Sequence, residues 1–279
     1  MNGPHEVMDP GDDRVEVFRD VRDRDLRGRD GLFMAESELV LRRLLATPHR
    51  LRSLLLSRGK YEQMEGLLAD LPESVPVYTA SLELLGDVAG FHVHRGVLAA
   101  GVRPDAADLE LDAALGHLRD VDDCTLLLAE GITNVDNMGS LFRNAAALGV
   151  DGVVLDPSCC DPLYRKSIRV AMGHVFTVPW ANGGTDAASW HASLERLRHE
   201  WNCTLFAAEC CDGACPLWEV QWPRRCGLLV GSEGEGLSAS SLSACDAVVE
   251  IPMHGQVPSV NVASAAAICL YERLRANQT

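Results

Sequence analysis

The chain has 279 residues, of which 47% are hydrophobic, and this is enough for one large globular domain or two modest ones. Its formal net charge of −15 argues against a protein that coats nucleic acid nonspecifically, and no run approaches the roughly 18 apolar residues of a membrane span. The polar start of the sequence has no signal-peptide core, and ten cysteines without regular spacing are typical of reduced thiols, so we expect a soluble cytoplasmic protein without membrane contact.

The first part of the chain alternates between strand and helix patterns. Residues 1–13 are expected to be disordered, and the alternation after them predicts a small α/β domain over residues 14–103. The predicted strands are residues 31–36, 51–56, 75–78 and 97–102, and the predicted helices are residues 37–45, 61–71 and 82–88. The acidic, alanine-rich residues 104–119 are predicted to be a linker.

Positive charge is concentrated in this small domain. Arg22, Arg24 and Arg27 lie close together in a segment where aspartates are interleaved with arginines. A local basic face can bind phosphate even when the whole protein is acidic. Charge alone leaves a second interpretation equally open, in which this segment is only a solvated surface.

A second alternation predicts another α/β domain over residues 120–279. The predicted strands are residues 124–129, 152–155, 176–178, 204–208, 226–230 and 247–251, and the predicted helices are residues 138–148, 164–171, 189–201, 238–242 and the stretch from 261 onward. Because these strands are apolar throughout, we expect a parallel sheet that is covered on both faces.

Three of these strands are followed by loops of unusual composition. The first loop begins a helix at Asn137 and Gly139, and a helix N-terminus close to the guanidinium of Arg143 is typical of an anion site. The second loop, residues 231–236, contains three glycines, which permit positive φ and close approach to a ligand. The third is bracketed by prolines, and its Ser259 is positioned to cap the helix that follows.

The cysteines raise the alternative of a metal site. Cys159-Cys160 and Cys210-Cys211-x-x-x-Cys215 are close in sequence, but their spacing matches no common zinc-ligand pair and no histidine cluster accompanies them. We therefore expect reduced structural thiols and no metal.

Together and in this order, the three loops resemble the motifs of the SpoU (TrmH-type) RNA ribose 2′-O-methyltransferases of the SPOUT superfamily. The matching motifs are Asn137-x-Gly139-x-x-x-Arg143, Gly231-Ser232-Glu233-Gly234-x-Gly236, and Ile251-Pro252-Met253 through Ser259-x-Asn261. The resemblance extends from Cys124 to the end of the chain. More weakly, Phe33-Met34-Ala35-Glu36 is similar to the start of the small substrate-binding domain that often precedes it. Val260 departs from the pattern, since leucine is usual at that position.

The resemblance implies a parallel sheet whose C-terminal segment forms a trefoil knot, with S-adenosylmethionine held in the knot. It also implies a homodimer whose site draws residues from both subunits. The residues implied to bind the cofactor are Ala207, Ala208, Val230, Gly231, Gly236, Ile251, Met253 and Val260. The implied substrate is a structured RNA, and the additional N-terminal domain favours rRNA over tRNA. A non-catalytic RNA-binding or cofactor-binding protein remains the alternative, since a fold does not guarantee an activity.

The resemblance places Arg143 at the ribose hydroxyl, either as the base or as a ligand of the neighbouring phosphate. A guanidinium holds its proton at neutral pH, which favours the second role, with Glu233 or water accepting the proton. In an alternative interpretation, Glu233 accepts no proton and only stabilises the knot. Asn137 and Asn261 are expected to fix the ribose and the loop by hydrogen bonds, and Ser259 to cap the helix or contact Arg143.

RNA phosphate is expected to bind at two basic clusters. One consists of Arg165, Lys166 and Arg169 on a single helical stretch, and the other is the arginine-rich segment of the small domain. We expect the small domain to supply RNA affinity and target choice, and residues 120–279 alone to keep the cofactor and the dimer.

Overall fold

The computed structural model describes residues 4–19, 31–47, 50–93, 95–255 and 257–277. The chain divides into two compact units. Unit 1 comprises Met1–Pro104 together with Leu163–Phe176, and unit 2 comprises Asp105–Pro162 together with Thr177–Thr279. The predicted catalytic half therefore contributes a short internal segment to the first unit.

The strands and helices alternate along most of the described chain. The strands are β1 (His5–Glu6), β2 (Leu32–Glu36), β3 (Leu51–Ser57), β4 (Val77–Ala80), β5 (Val97–Val102), β6 (Cys124–Ala129), β7 (Gly152–Leu155), β8 (Trp180–Asn182), β9 (Thr204–Ala208), β10 (Cys215–Pro216), β11 (Arg225–Val230) and β12 (Ala247–Glu250). The helices are α1 (Glu38–Leu44), α2 (Arg58–Leu68), α3 (Leu82–Ala89), α4 (Leu111–Leu115), α5 (Val135–Ala147), α6 (Arg165–Val170), α7 (Ala187–His199), α8 (Ala239–Ala244) and α9 (Val262–Ala276). Within the described residues, none of these helices has the length and apolar character needed to cross a membrane.

Unit 1 is built on a five-stranded mixed sheet with the order β1-β4-β3-β5-β2. Strands β1, β4 and β3 are parallel, whereas β5 runs antiparallel to both of its neighbours. Helix α6, which comes from the internal segment, packs against β2. The rings of Phe33 and Phe176 lie 5.2 Å apart, and Arg165 forms a 2.6 Å ion pair with Glu36. This segment is thus part of the packing of unit 1.

The prediction of disorder for residues 1–13 is wrong for the part that the structure describes. β1 pairs with β4, with His5 opposite Tyr78, and the side chain of Val7 is 1% exposed. A 3-10 helix, Asp13–Phe18, then buries Val15 and Phe18. The polar composition of this segment does not indicate that a few of its residues are anchored. The segment is ordered because the open edge of β4 supplies the hydrogen-bond partners that it cannot provide by itself.

Unit 2 contains a seven-stranded sheet with the order β10-β12-β9-β11-β6-β7-β8. Every paired strand in it is parallel to its neighbour, as the apolar strands predicted. The central leucines Leu126, Leu127 and Leu128 are fully buried, which explains why β6 is apolar without alternation. The prediction of a parallel sheet is therefore confirmed.

Two strand assignments differ from the prediction. The predicted strand at residues 176–178 is wrong, since His174–Phe176 is a 3-10 helix and the strand is β8. β10 was not predicted, because its two residues at the sheet edge are too few to produce a pattern.

The prediction of a linker at residues 104–119 is also wrong. This segment contains α4, and Leu111, Leu115 and Leu118 belong to the buried core of unit 2. The three leucines have the i, i+4, i+7 spacing of a helix face, but the surrounding aspartates and alanines gave the segment the composition of a connector.

Candidate functional site

The site is built from the loops that follow β6, β11 and β12, at the carboxyl ends of parallel strands. Ligands of α/β sheets bind at this end. The loop after β6 leads into α5, which is capped by Asn134, whose side-chain oxygen accepts from the backbone N–H of Asp136 at 2.8 Å. The prediction that Asn137 begins this helix was therefore two residues late. Asn137 lies inside the first turn and is only 8% exposed.

A hydrogen-bond network joins one predicted catalytic residue from each loop. Nδ2 of Asn137 donates to Oε1 of Glu233 at 3.0 Å. Nδ2 of Asn261 donates to the same Oε1 at 2.6 Å and to Oδ1 of Asn137 at 2.8 Å. Residues separated by up to 124 positions in sequence are thus held together by a single carboxylate oxygen and two amides.

Asn261, rather than Ser259, caps helix α9. Its side-chain Oδ1 accepts from the backbone N–H groups of Ala263 at 3.0 Å and Ser264 at 3.3 Å. The assignment of the cap to Ser259 was wrong because α9 begins two residues later than a serine cap requires. Ser259 is exposed and lies in the lining of a cavity.

The glycine-rich loop after β11 folds back on itself. The backbone N–H of Gly236 donates to the carbonyl of Ser232 at 3.2 Å. A Cβ at position 231 would lie 2.5 Å from the carbonyl carbon of Gly236, so no side chain fits there. Gly236 has a φ of +68°, and a Cβ there would lie 2.5 Å from Oε2 of Glu209. Gly231 is therefore required by the close approach of two backbone segments, and Gly236 by its positive φ.

A cavity of 410 Å³ lies against these loops, within the range typical of small-ligand sites. It is lined by seven of the eight predicted cofactor residues, namely Ala208, Val230, Gly231, Gly236, Ile251, Met253 and Val260. Ala207 does not line it and is fully buried in β9. Glu233 and Ser259 also contribute to the lining.

The sequence analysis assigned no role in the site to several lining residues, and three of these are ionisable. Glu209 and Cys210 follow β9, and Glu250 ends β12. Oε2 of Glu209 accepts from the backbone N–H of Leu237 at 3.1 Å, which ties β9 to the glycine loop. Burial, together with the carboxylates of Glu250 and Glu209, raises the pKa of the Cys210 thiol. In the sequence, these three residues could have been recognised by their position at the carboxyl ends of predicted strands.

Arg143 lies apart from this network. It is exposed on α5, does not line the cavity, and its side chain forms no hydrogen bond or ion pair with any described residue. The next residue, Asn144, donates from its side chain to the carbonyl of Ala263 at 2.7 Å, which ties α5 to α9. The network is therefore assembled within the chain without the predicted catalytic arginine.

The candidate RNA-binding residues fall into three groups. Arg22, Arg24 and Arg27 lie outside the described residues. Arg165 is engaged within unit 1, because it pairs with Glu36 and stands over the ring of Phe91 at 3.9 Å. Lys166 and Arg169 are exposed on α6.

The cysteines are free thiols. Burial and the neighbouring Asp161 raise the pKa of Cys160 to about 11, which keeps this thiol protonated. Among the residues that the structure describes, no group of three or more histidine, cysteine, aspartate or glutamate side chains is arranged to hold a metal ion.

A family model, curated relatives and a solved structure all indicate the same family for this chain. The SpoU rRNA Methylase family model matches residues 125–271. An uncharacterised tRNA/rRNA methyltransferase of Mycobacterium tuberculosis is 39% identical over 97% of this chain and 91% of that protein. The 23S rRNA (guanosine-2′-O-)-methyltransferase RlmB of Escherichia coli is 28% identical over 82% of this chain and 91% of that protein. The SpoU methyltransferase AviRb from Streptomyces viridochromogenes in complex with the cofactor AdoMet superposes with a TM-score of 0.78, at 25% identity, over 96% of this chain and 99% of that chain.

Proposed function

Because this chain belongs to the SpoU rRNA methylase family, we propose that it transfers a methyl group from S-adenosylmethionine to a ribose 2′-hydroxyl of rRNA. The observation that carries the proposal is the network of Asn137, Glu233 and Asn261 beside the 410 Å³ cavity. It joins one residue from each of the three loops at the place where a cofactor and a ribose would have to meet.

The lining of the cavity suits the charge of the cofactor. Gly231, Gly234 and Gly236 line the cavity without side chains, so a ligand can approach the backbone of this loop. Among the described residues, the lining has three carboxylates, Glu209, Glu233 and Glu250, and no lysine, arginine or histidine. S-adenosylmethionine carries a sulfonium and an ammonium group, and such a lining favours positive charge.

The bound cofactor supplies an activated methyl group, so the protein has to orient the hydroxyl and receive its proton. Oε1 of Glu233 is held by two amide donors, while its Oε2 has no hydrogen bond to any described residue. We propose that Oε2 of Glu233 accepts the proton of the ribose hydroxyl. The two asparagines thereby serve as positioning residues that fix the carboxylate.

Arg143 is proposed to bind the phosphate next to the reacting ribose and to lower the pKa of the hydroxyl through its positive charge. Its guanidinium is exposed and has no described partner, so it is available for this contact. Since Arg143 does not line the cavity of its own chain, we propose that a homodimer brings it to the site of the second subunit. Two apolar residues on α9 support this, because Ile268 is 43% exposed and Tyr271 is 59% exposed.

A trefoil knot belongs to the same proposal. β12 lies beyond β9 in the sheet, and the chain then returns to form α9, which packs against α5. Asn261, at the start of this return, is bonded to the loops that follow β6 and β11. A return path threaded through the loop after β11 accounts for these contacts. We also place the protein in the cytoplasm, in agreement with its free thiols.

The proposal is tested by incubating the full chain with methyl-labelled cofactor and unmodified transcripts of 23S rRNA, 16S rRNA and tRNA. We expect label in 23S rRNA at a ribose, detected as alkali-resistant linkage at one nucleotide. Label in tRNA alone would show that the substrate is tRNA and not rRNA. Absence of label in all transcripts, together with measurable cofactor binding, would leave a non-catalytic binding protein.

The composite site is tested by mixing two inactive variants, Arg143→Ala and Glu233→Ala. If each site takes Arg143 from the opposite subunit, a mixed dimer regains one intact site, and random mixing restores about a quarter of the wild-type rate. No recovery after subunit exchange would mean that both residues act from the same chain.

A further inference from the structure

We propose that a second pocket, in unit 1, binds one nucleotide of the RNA substrate, with Arg95 and Arg169 contacting the adjoining phosphates. This inference rests on the proposed function, because it names where the substrate is held away from the reacting ribose. The residues concerned lie in unit 1, outside the three loops of the candidate site.

The pocket has a volume of 300 Å³, at the lower end of the range for ligand sites and suited to a single nucleotide. Its inner lining is apolar, with Val40 only 2% exposed and Val93 only 4% exposed. Leu39 also lines it and is 38% exposed, so an apolar side chain is accessible at this pocket. Single-stranded RNA is recognised through bases that are splayed out of the helix and stacked on aromatic rings or guanidinium planes. In this pocket the apolar lining would cover an unstacked base, and the arginine guanidinium groups would offer the planar surface.

The two arginines of this pocket differ from most cations of unit 1. Arg95 and Arg169 are exposed, and their side chains form no hydrogen bond or ion pair with any residue that the structure describes. By contrast, Arg14, Arg42, Arg58, Lys60 and Arg165 each pair with a carboxylate. A guanidinium without a protein partner is free to form bidentate hydrogen bonds with phosphate.

The carboxylate in the lining does not neutralise them. Glu36 lines the pocket, but its Oε1 is 2.6 Å from Nη1 of Arg165, and that guanidinium stands over Phe91. This arrangement leaves a local excess of positive charge on a chain whose net charge is −15. Capture of an anionic polymer by an acidic protein requires such a local positive surface.

The pocket combines two distant parts of the sequence. Arg95 precedes β5 of the N-terminal region, whereas Arg169 lies on α6, in the segment between β7 and β8 of unit 2. Arg95 also lines a neighbouring cavity of 470 Å³ that includes Lys60. A strand of RNA that crosses Arg95 therefore meets two adjacent depressions, which favours an extended polynucleotide over an isolated small anion.

The test compares RNA affinity of the full-length wild type with that of an Arg95→Gln/Arg169→Gln double variant. The probe is a short fluorescein-labelled single-stranded RNA of mixed sequence, followed by anisotropy over a series of salt concentrations. We expect affinity to fall roughly tenfold per arginine, and the salt slope to decrease by about 0.7 for each phosphate that is no longer bound. Leu39→Ala should weaken binding without changing the salt slope, because it removes apolar surface and no charge.

The matched control is Arg52→Gln. Arg52 is exposed on β3, its side chain has no described partner, and it lines neither cavity, so its substitution removes one charge from unit 1 without altering the pocket. Cofactor affinity, measured by calorimetry, should be unchanged in every variant, because the cofactor cavity lies in unit 2. Unchanged circular dichroism and thermal unfolding verify that unit 1 is folded.

Wild-type affinity and salt slope in the double variant would overturn the proposal, as would an equal decrease in affinity in Arg52→Gln. If AMP alone binds saturably at Arg95 and Arg169 while RNA binding is unaffected by their substitution, the pocket serves a mononucleotide and the inference is wrong. A failure of the proposed function gives a different result from a failure of this inference. In that case the wild-type chain would bind RNA but transfer no methyl group to any transcript.

Discussion

Nδ2 of Asn261 donates to Oε1 of Glu233 at 2.6 Å, while Oδ1 of Asn261 caps helix α9. One side chain therefore fixes the start of the C-terminal helix relative to the glycine loop. Both ends of this amide are used by the protein, so it has no spare donor for a ligand. Its role in the site is to hold Glu233 in one orientation.

We expect Glu233→Gln to reduce kcat by roughly a hundredfold and to change the cofactor Kd by less than about threefold. The glutamine oxygen can still accept from the two asparagines, so the network survives while the proton acceptor is removed. Single-turnover methyl transfer and calorimetry measure the two quantities. An unchanged kcat would mean that Glu233 only braces the loops.

Asn261→Ala should lower the free energy of unfolding by about 1–2 kcal/mol, because it removes the cap of α9. It should also weaken cofactor binding, since Glu233 loses one of its two donors. The control is Ser259→Ala, two residues earlier, for which we expect unchanged stability in urea. Equal destabilisation by both substitutions would contradict the assignment of the cap.

Gly231→Ala is expected to abolish cofactor binding. Its Cβ would lie 2.5 Å from the backbone of Gly236, which would force the loop away from the cavity. The matched control is Gly66→Ala in α2, where no atom lies within 4 Å of the new Cβ and helix propensity should raise stability by about 0.5–1 kcal/mol. Calorimetric titration of both variants with cofactor provides the comparison.

Bound cofactor should protect Cys210 from alkylation, because this thiol lines the cavity. The adjacent Cys211 is exposed but does not line it, and its modification rate should not respond to cofactor. Since the pKa of Cys210 is raised and the thiolate is the reactive form, its rate without cofactor should be low at neutral pH and increase as the pH rises above the usual thiol range. Peptide mass spectrometry after iodoacetamide treatment measures both sites, and equal protection of both cysteines would place the cofactor elsewhere.

A fragment beginning at residue 120 should be far less stable than one beginning at residue 105. The shorter fragment lacks Leu111, Leu115 and Leu118 of the unit 2 core, and each buried leucine contributes about 2–5 kcal/mol. We therefore expect a fragment that begins at residue 105, and not at residue 120, to keep the cofactor by itself. Thermal unfolding of the two fragments tests this, and similar midpoints would show that α4 contributes little.

Local pattern was sufficient for most of the elements and for the motif residues. Apolar runs identified β6, β9 and β11 because a parallel strand covered on both faces leaves little room for polar residues. Glycine and asparagine at Gly231, Gly236 and Asn137 marked the loops, since few other residues satisfy such backbone and hydrogen-bond demands. These requirements lie within a few residues of each side chain and are therefore visible in sequence.

Tertiary structure alone decided where distant segments meet. The pairing of Asn137, Glu233 and Asn261, the capping of α9 by Asn261 instead of Ser259, and the ordering of β1 on β4 depend on contacts across the sheets. The same is true of Arg165, whose charge is used by Glu36 in unit 1, and of α4, whose leucines become a core only against unit 2. Sequence spacing specifies which face a residue occupies on its own element, but the partner of that face is determined by the packing of the whole unit.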